Sequence, residues 1–532
     1  MSIIIKQITY IHPDRESLFQ NISFSLAKGQ KVALIGNNGT GKSTLLRIIA
    51  GNLQAASGEI IYQEHPYYIP QHFGQYDKMT VAEALHIDKK IVALNDILKG
   101  NASAENFSLL NDEWDIEDRA TAALSKWNLD HITLFQRMDS LSGGEKTKVF
   151  LSGIYIHNPS VILFDEPSNH LDKESRKQLY ELMQNSNATI IVVSHDRTLL
   201  NLLDLTYELS ADKVEVYGGN YEFYKQQKEE KMYALQAQFE EKQKELRKAR
   251  NIAREVAEKK QRRDVRGKKK AIKEGIPRIM MNTIRNKAET STAKLNDMHT
   301  NKMDGIVADI KQIKQQLPDK KDLKMDFEDM SLHSGKILIT AKGVNFGYSD
   351  KVLWQEALEF QIRSGDRLVI SGQNGAGKTT LLKLILGQLE PTKGTISRAH
   401  FRYLYIDQDY SLIDNGLTVF DQVQQFNSRK LTDDELRVIL HRFLFTYEMW
   451  NKTCDKLSGG EKMRLIFCCM QIDDNAPDMF ILDEPANNLD IQSLEIVTNS
   501  IRDYKGTLLI ISHDAYFIKE VEVDKEIILA GG

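Results

Sequence analysis

Two short stretches carry the chemistry. Gly36-Asn37-Asn38-Gly39-Thr40-Gly41-Lys42-Ser43 and Gly372-Gln373-Asn374-Gly375-Ala376-Gly377-Lys378-Thr379 share a glycine, four residues, then Gly-Lys and a hydroxyl side chain. Glycines at those places let backbone N–H groups close around a phosphate, and a helix starting at the lysine adds partial positive charge. Lys42 and Lys378 suit the outer phosphates of a nucleoside triphosphate, and the Ser43 and Thr379 hydroxyls suit magnesium. Thr44 and Thr380 complete the two binding stretches.

Further along each half, Val161-Ile-Leu-Phe-Asp165-Glu166 and Met479-Phe-Ile-Leu-Asp483-Glu484 read as buried strands ending in paired acids. Asp165 and Asp483 are expected to hold the metal, directly or through water. Glu166 and Glu484, one step on, are placed to polarise an attacking water as general bases. His195 and His513 follow at the ends of apolar runs, where open α/β sheets place ligands, and terminal-phosphate contact is their expected role. Leu141-Ser142-Gly143-Gly144-Glu145 and Leu457-Ser458-Gly459-Gly460-Glu461 set a serine and two glycines ahead of a helix, a second anion-binding terminus in each half.

The motifs occur in the same order twice, so the elements that position them form two homologous domains, residues 1–222 and 336–532. Apolar Val32–Ile35 and Arg367–Ile370 read as strands before the loops, and the residues after each loop as helix. The expected fold is α/β: two phosphate-loop domains joined through residues 223–335 by an α-helical coiled-coil hairpin. In that joining segment Leu235, Phe239, Leu246, Ala249, Ala253 and Val256 keep a three-four rhythm broken by Lys242, and Met303, Ile306, Ile310, Ile313 and Leu317 return it. Gly267, Gly275 and Pro277 are read as interrupting the helix where the chain reverses. An arm of about 40 residues spans roughly 60 Å.

Charge is uneven along this arm. From Lys259 to Lys287 there are twelve bases and two acids, including Arg262, Arg263, Arg266, Lys268, Lys269, Lys270, Lys273, Arg278, Arg285 and Lys287. That stretch carries +10 in a chain of net charge −4, which suits a phosphate-rich partner and marks these bases as candidate RNA contacts. No aromatic residue interleaves them, so backbone or shape recognition is expected rather than base stacking. Elsewhere composition narrows the class. Ten prolines in 532 residues fit long helices, three cysteines (Cys454, Cys468, Cys469) fit no disulfide framework, and no apolar run approaches the ~20 residues of a membrane helix. A reduced, cytoplasmic setting is expected.

Two loops and two serine-glycine tips permit a head-to-tail pair, with Ser458–Gly460 capping the nucleotide on Gly36–Ser43, and Ser142–Gly144 the one on Gly372–Thr379. This arrangement resembles the ATP-binding cassette superfamily, which implies ATP and Mg2+ as ligands. The resemblance adds Gln71 and Gln408 as Q-loop glutamines among the metal ligands, and Asp172 and Asp490 as D-loop aspartates. It also calls for an aromatic that stacks on adenine: Tyr348 fits in the second half, and in the first either His12 or Tyr10.

The tandem cassettes, the arm and Tyr217-Gly-Gly-Asn-Tyr-Glu-Phe-Tyr-Lys225 are similar to the ABC-F subfamily over essentially the whole chain. That resemblance implies an ATPase, monomeric through intramolecular cassette pairing and without a permease, that binds ribosomal RNA and tRNA through the basic tip. It also implies a role in elongation and stalling relief or in protecting ribosomes from antibiotics. Between Gln71 and Leu141 the first cassette is 21 residues longer than the second is between Gln408 and Leu457. The surplus is expected to form a short helical arm with an outward acidic face at Asp112–Asp118. Two rival readings are a fused motor subunit of a membrane importer, which leaves the basic arm unexplained, and a non-hydrolytic nucleic-acid clamp, which leaves Glu166 and Glu484 unexplained.

Overall fold

The computed structural model describes residues 2–529 apart from 14, 16, 102, 274–297, 299, 315–334, 349–350, 374, 474–476, 486–488 and 490, with backbone alone at 260, 263–264, 267–273, 351 and 491–492. Two compact units result: Met1–Glu222 with Asp322–Gly532, and Phe223–Lys321.

In the first half, strands Tyr67–Ile69, Val161–Asp165, Thr189–Val193, Lys31–Ile35, Leu205–Leu209 and Val214–Tyr217 lie side by side in that order. All pair in parallel except the last. The second half repeats the plan with Tyr403–Ile406, Met479–Asp483, Thr507–Ile511, Arg367–Gly372 and Lys525–Leu529, all parallel. Val161–Asp165, Thr189–Val193, Met479–Asp483 and Thr507–Ile511 are buried along their whole length, as continuous apolar runs covered on both faces must be. This order sets the strand before each phosphate loop beside the strand that ends at the histidine, and that one beside the strand that ends in the paired acids. Parallel pairing then delivers all three chemical ends to one edge of the sheet. A three-stranded antiparallel sheet accompanies each half, Ser17–Leu26 with Ile3–Ile11 and Ser57–Tyr62, and Leu358–Arg363 with Ile337–Asn345 and Lys393–Arg398.

The first cassette's surplus residues fold as helices Asp88–Leu98 and Ala104–Leu110, where the second cassette has only Asp433–Arg442 before its short Tyr447–Trp450 turn. Asp112, Asp115, Glu117 and Asp118 are exposed, so the acidic face points outward, with Glu113 partly covered. Glu113 is bridged by both Lys90 and Arg119, and Arg119 Nη1 also lies 3.3 Å from Asp115 Oδ1, so part of that charge is spent inside the helical insert.

In the other unit, one helix runs unbroken from Tyr221 to Lys273, and residues 300–314 are helical. The helix passes straight through Gly267, so this glycine does not mark the reversal; a single glycine costs a helix only about 1 kcal/mol, which the neighbouring turns absorb. Gly275, Pro277 and Leu317 lie outside the described residues. Met232, Leu235, Phe239, Leu246, Ala249, Ala253 and Val256 are half-buried along one stripe, and Ile306 is buried opposite. Lys242, the break in that stripe, reaches across the pair: its Nζ lies 2.9 Å from Asp309 Oδ2 and 3.5 Å from Glu245 Oε2. Exposed pairs of this kind stabilise little. Lys242→Leu, which completes the apolar seam, is therefore expected to raise the thermal midpoint of hairpin helicity measured by circular dichroism. A lower midpoint would show that the ion pair sets the register.

Candidate active site

Each phosphate loop ends at a glycine in the left-handed region, Gly41 at φ 90° and Gly377 at φ 87°. A Cβ at Gly377 would stand 2.1 Å from Leu353 Cδ2, and one at Gly41 2.6 Å from Leu18 Cδ2, so both backbone angle and space demand glycine. The helices Lys42–Ile49 and Lys378–Ile385 start directly after. Lys42 Nζ donates to the carbonyls of Gly36 (2.8 Å) and Asn37 (3.1 Å), and Lys378 Nζ to those of Gly372 (2.8 Å) and Gln373 (3.1 Å). Both ammonium groups are thus held at the loop mouth.

Two of the expected metal ligands, Ser43 and Asp165, meet in the first cassette. Ser43 Oγ donates to Asp165 Oδ1 at 2.9 Å, and the Tyr68 hydroxyl donates to Oδ2 at 3.0 Å. In the second cassette Tyr405 donates to Asp483 Oδ2 at 3.1 Å. A hydroxyl beside a carboxylate, with a glutamine near, is an all-oxygen donor set that fits Mg2+. Sequence reasoning missed Tyr68 and Tyr405; their signal was a tyrosine three residues before Gln71 and Gln408 on the adjacent strand.

Glu166 and Glu484 both sit at φ 51°, a left-handed angle unusual for glutamate, where the chain leaves the strand. Their amides donate to Val193 and Ile511 carbonyls at 2.8 Å. His195 Nε2 is 3.2 Å from Glu166 Oε1, and His513 Nε2 is 3.5 Å from Glu484 Oε1. Burial, with Asp165 beside it, pushes the Glu166 carboxyl up to about 8. Burial pushes Glu484 up to about 7 against the opposing field of Arg176. His513, lowered by burial and by Lys378 to about 4, is neutral at pH 7, and its Nε2 lies 3.2 Å from Lys378 Nζ.

At the signature stretches, Ser142 and Ser458 cap helices Gly143–His157 and Gly459–Ile472 through reciprocal bonds with Glu145 and Glu461. Ser142 N donates to Glu145 Oε2 at 2.8 Å and Ser458 N to Glu461 Oε2 at 2.7 Å. Helix geometry leaves the two glycine amides after each serine without intrahelical partners, aimed past the tip.

A cavity of about 600 Å3 brings Ser142, Gly143, Gly144 and Asp172 of the first cassette against Gly375, Gln408, Glu484 and His513 of the second. Gln373 Nε2 donates across the same junction to Glu174 Oε2 at 3.0 Å. The cavity at Lys42 and Ser43, about 320 Å3, is lined by His12, Gln71, Glu166, His195 and other residues of the first cassette. Among the described residues Ser458–Gly460 do not line it, so only one of the two expected composite sites is brought together. His12 lines this cavity whereas Tyr10 packs its ring against Phe19 in the core. Tyr348, 60% exposed, has its hydroxyl 3.3 Å from Thr380 Oγ1 at the second loop. Asn374 and Asp490 lie outside the described residues, as do Arg278, Arg285 and Lys287; for Arg263, Lys268, Lys269, Lys270 and Lys273 the backbone alone is described. Arg262 and Arg266 are exposed on the long helix.

A family model described as ABC transporter matches residues 19–169 and 356–487, and an extension model of the same description matches 207–316. The chain belongs to the ABC transporter family. It is an ABC-F-like tandem-cassette ATPase, and domains of this family bind ATP, generally with Mg2+. It is 30% identical to the uncharacterized ABC transporter ATP-binding protein YfmR of Bacillus subtilis over 100% of this chain and 81% of the relative. Identity is 28% both to the ATP-binding protein Uup of Escherichia coli, over 100% of this chain and 81% of Uup, and to ABC transporter F family member 5 of Arabidopsis thaliana, over 95% and 72%. The fold is shared with the RNase-L Inhibitor (TM-score 0.59, 19% identity) over 99% of this chain and 88% of that one. It is shared equally with the archaeal ribosome recycling factor aABCE1, solved in complex with the stalk protein aP1 (TM-score 0.60, 19% identity, 99% and 88% coverage). Among the described residues no helix is long and apolar enough to cross a membrane.

Two expectations follow for this ATPase. A protonated glutamate cannot take a proton from water, so turnover measured by phosphate release is expected to rise from ~pH 6 to ~pH 9 and then level off. A flat profile would mean that both glutamates stay ionised throughout. Tyr68→Phe and Tyr405→Phe remove the hydroxyls that hold Asp165 and Asp483, and are expected to raise the Mg2+ concentration for half-maximal turnover about 10–100-fold. An unchanged Mg2+ requirement would make the tyrosines packing residues.

Proposed function

We propose that this ATPase couples ATP binding and hydrolysis at sites shared between its cassettes to its residence on the ribosome, acting on translation from the cytoplasm. The observation that carries the reading is the cavity in which Ser142, Gly143 and Gly144 face Gly375, Glu484 and His513. A triphosphate held on Lys378 and Thr379 has its outer phosphates within the field of the opposite serine-glycine tip. There the glycine amides orient the phosphate, Glu484 takes the proton of the attacking water, and His513, neutral, holds position beside Lys378. Thr379, Asp483 and Gln408 would hold Mg2+, which would neutralise phosphate charge there; Ser43, Asp165 and Gln71 are the corresponding set in the first cassette, with Glu166 as base and His195 beside it. The same tip logic assigns Ser458, Gly459, Gly460 and Glu461 to the first loop in a more closed pairing of the cassettes.

The ribosome enters through charge and through relatives. A +10 stretch at residues 259–287 in an otherwise acidic chain fits a phosphate-rich partner, and the fold is that of a protein described as an archaeal ribosome recycling factor. ATP binding would then favour the ribosome-bound state and hydrolysis its release.

Glu166→Gln with Glu484→Gln is expected to bind ATP, to lose turnover and to accumulate in the ribosome fraction on sucrose-gradient sedimentation. Absence from that fraction with ATP present would sink the cycle. Replacing Arg262, Arg266, Lys268, Lys269 and Lys270 by alanine is expected to weaken ribosome binding and flatten its salt dependence, each lost phosphate contact removing about 0.7–0.9 from the log–log slope. Growth across a panel of ribosome-targeting antibiotics, with and without the gene, separates a translation factor from a protection factor.

A further inference from the structure

Among the positions beside the shared cavity at which the two halves differ, one exchanges a charge for an apolar side chain. Four residues after Asp172, on helix Lys173–Asn185, stands Arg176; four after Asp490 stands Leu494. Leu494 is 1% exposed and belongs to the second cassette's hydrophobic core. Arg176 is 8% exposed, yet it lines the cavity together with Glu484 and His513 of the other cassette.

Its placement is set from behind. The Nε of Arg176 donates to the Leu171 carbonyl at 3.1 Å, and Nη1 lies 3.9 Å from Asp196 Oδ2. That carboxylate is already engaged: Tyr180 donates to Oδ2 at 2.5 Å, and Leu199 N donates to Oδ1 at 3.1 Å, capping the helix that follows His195. At 3.9 Å the ion pair is loose, and a guanidinium has five donors in a fixed fork. Much of its hydrogen-bonding capacity therefore remains for an anion in the cavity. The γ-phosphate end of that cavity is marked by Glu484 and His513, and there the triphosphate carries charge that its diphosphate product lacks.

Resting on the reading of this cavity as a shared nucleotide site, we infer that Arg176 is a specificity residue supplied in trans: it favours ATP over ADP at the second loop, whereas the equivalent position in the other half, Leu494, is buried in its own cassette's core and supplies no counterpart to the first loop. The two sites are inequivalent by construction. Nucleotide exchange at the second site then depends on cassette separation, because separation withdraws the cation, whereas exchange at the first does not depend on that charge.

The test is equilibrium binding of fluorescent ribose-labelled ATP and ADP to full-length protein. Lys42→Ala leaves the second site for measurement, and Lys378→Ala leaves the first. In the Lys42→Ala protein, Arg176→Gln, which keeps a donor for the Leu171 carbonyl but loses the charge, is expected to weaken ATP about tenfold or more and ADP less than threefold. Arg176→Lys is expected to recover part of the ATP affinity. In the Lys378→Ala protein neither substitution should change either affinity. Equal weakening of ATP and ADP, equal weakening at both sites, or no weakening with Arg176→Gln would each overturn the assignment. Gly144→Asp in the Lys42→Ala protein separates the layers: if it weakens ATP while Arg176→Gln does not, only the role of Arg176 fails, and if neither does, the shared site fails with it. Unchanged thermal midpoints identify Arg176→Gln and Arg176→Lys as folded.

Discussion

A helix tip that is to grip a phosphate must keep some of its amides unsatisfied by its own chain. The Ser142–Glu145 and Ser458–Glu461 capping boxes do this selectively, closing off the donors at the cap and leaving the paired glycine amides open. Within one cassette the phosphate loop and this tip belong to separate elements, and the tip needs an anion from elsewhere. The duplicated chain brings one such tip to the other cassette's phosphate loop. Head-to-tail packing places the first cassette's tip at the second cassette's loop, and the junction is held by Gln373 with Glu174, Arg197 with Glu520 at 2.7 Å, and Asn201 with the Tyr516 hydroxyl at 2.9 Å.

The second demand is electrostatic. Two acids at the end of a fully buried strand, beside a third group that must stay basic, are costly unless neighbours share the charge. Tyr68 and Tyr405 donate to Asp165 and Asp483, and the backbone amides of His195 and His513 to the glutamates. The left-handed angle at Glu166 and Glu484 turns each carboxylate away from its aspartate neighbour and toward the histidine. Burial at the strand end, with Asp165 beside Glu166 and Asp483 beside Glu484, raises the proton affinity of both.

Duplication did not produce copies. The first cassette has an additional pair of helices, and its buried Arg176 and Arg197 are matched in the second by Leu494 and Ala515. Asn201, which bonds Tyr516, also accepts from the Glu222 amide at 2.9 Å where the long helix begins. The Tyr217–Lys225 stretch thus starts its helix on a residue that itself touches the second cassette, a local reason for Asn220 and its neighbours that pattern reading could not supply.

The repeat, the α/β class, the phosphate loops, the acid pairs and the helical seam were legible in residues alone, because each depends on local chemistry: glycine where only glycine fits, apolar runs where strands are buried, three-four spacing where helices pair. Gly267 misled for the same reason in reverse, since a local breaker loses to fifty-odd residues of continuous helix. What the residues could not tell was which groups meet across the chain. The tyrosines on Asp165 and Asp483, the bridge from Lys90 to Glu113 and the approach of Arg176 to Glu484 all join residues far apart in sequence. Such contacts arise only when sheets and helices pack, because a side chain's partner is set by the element beside it and not by its neighbours along the chain.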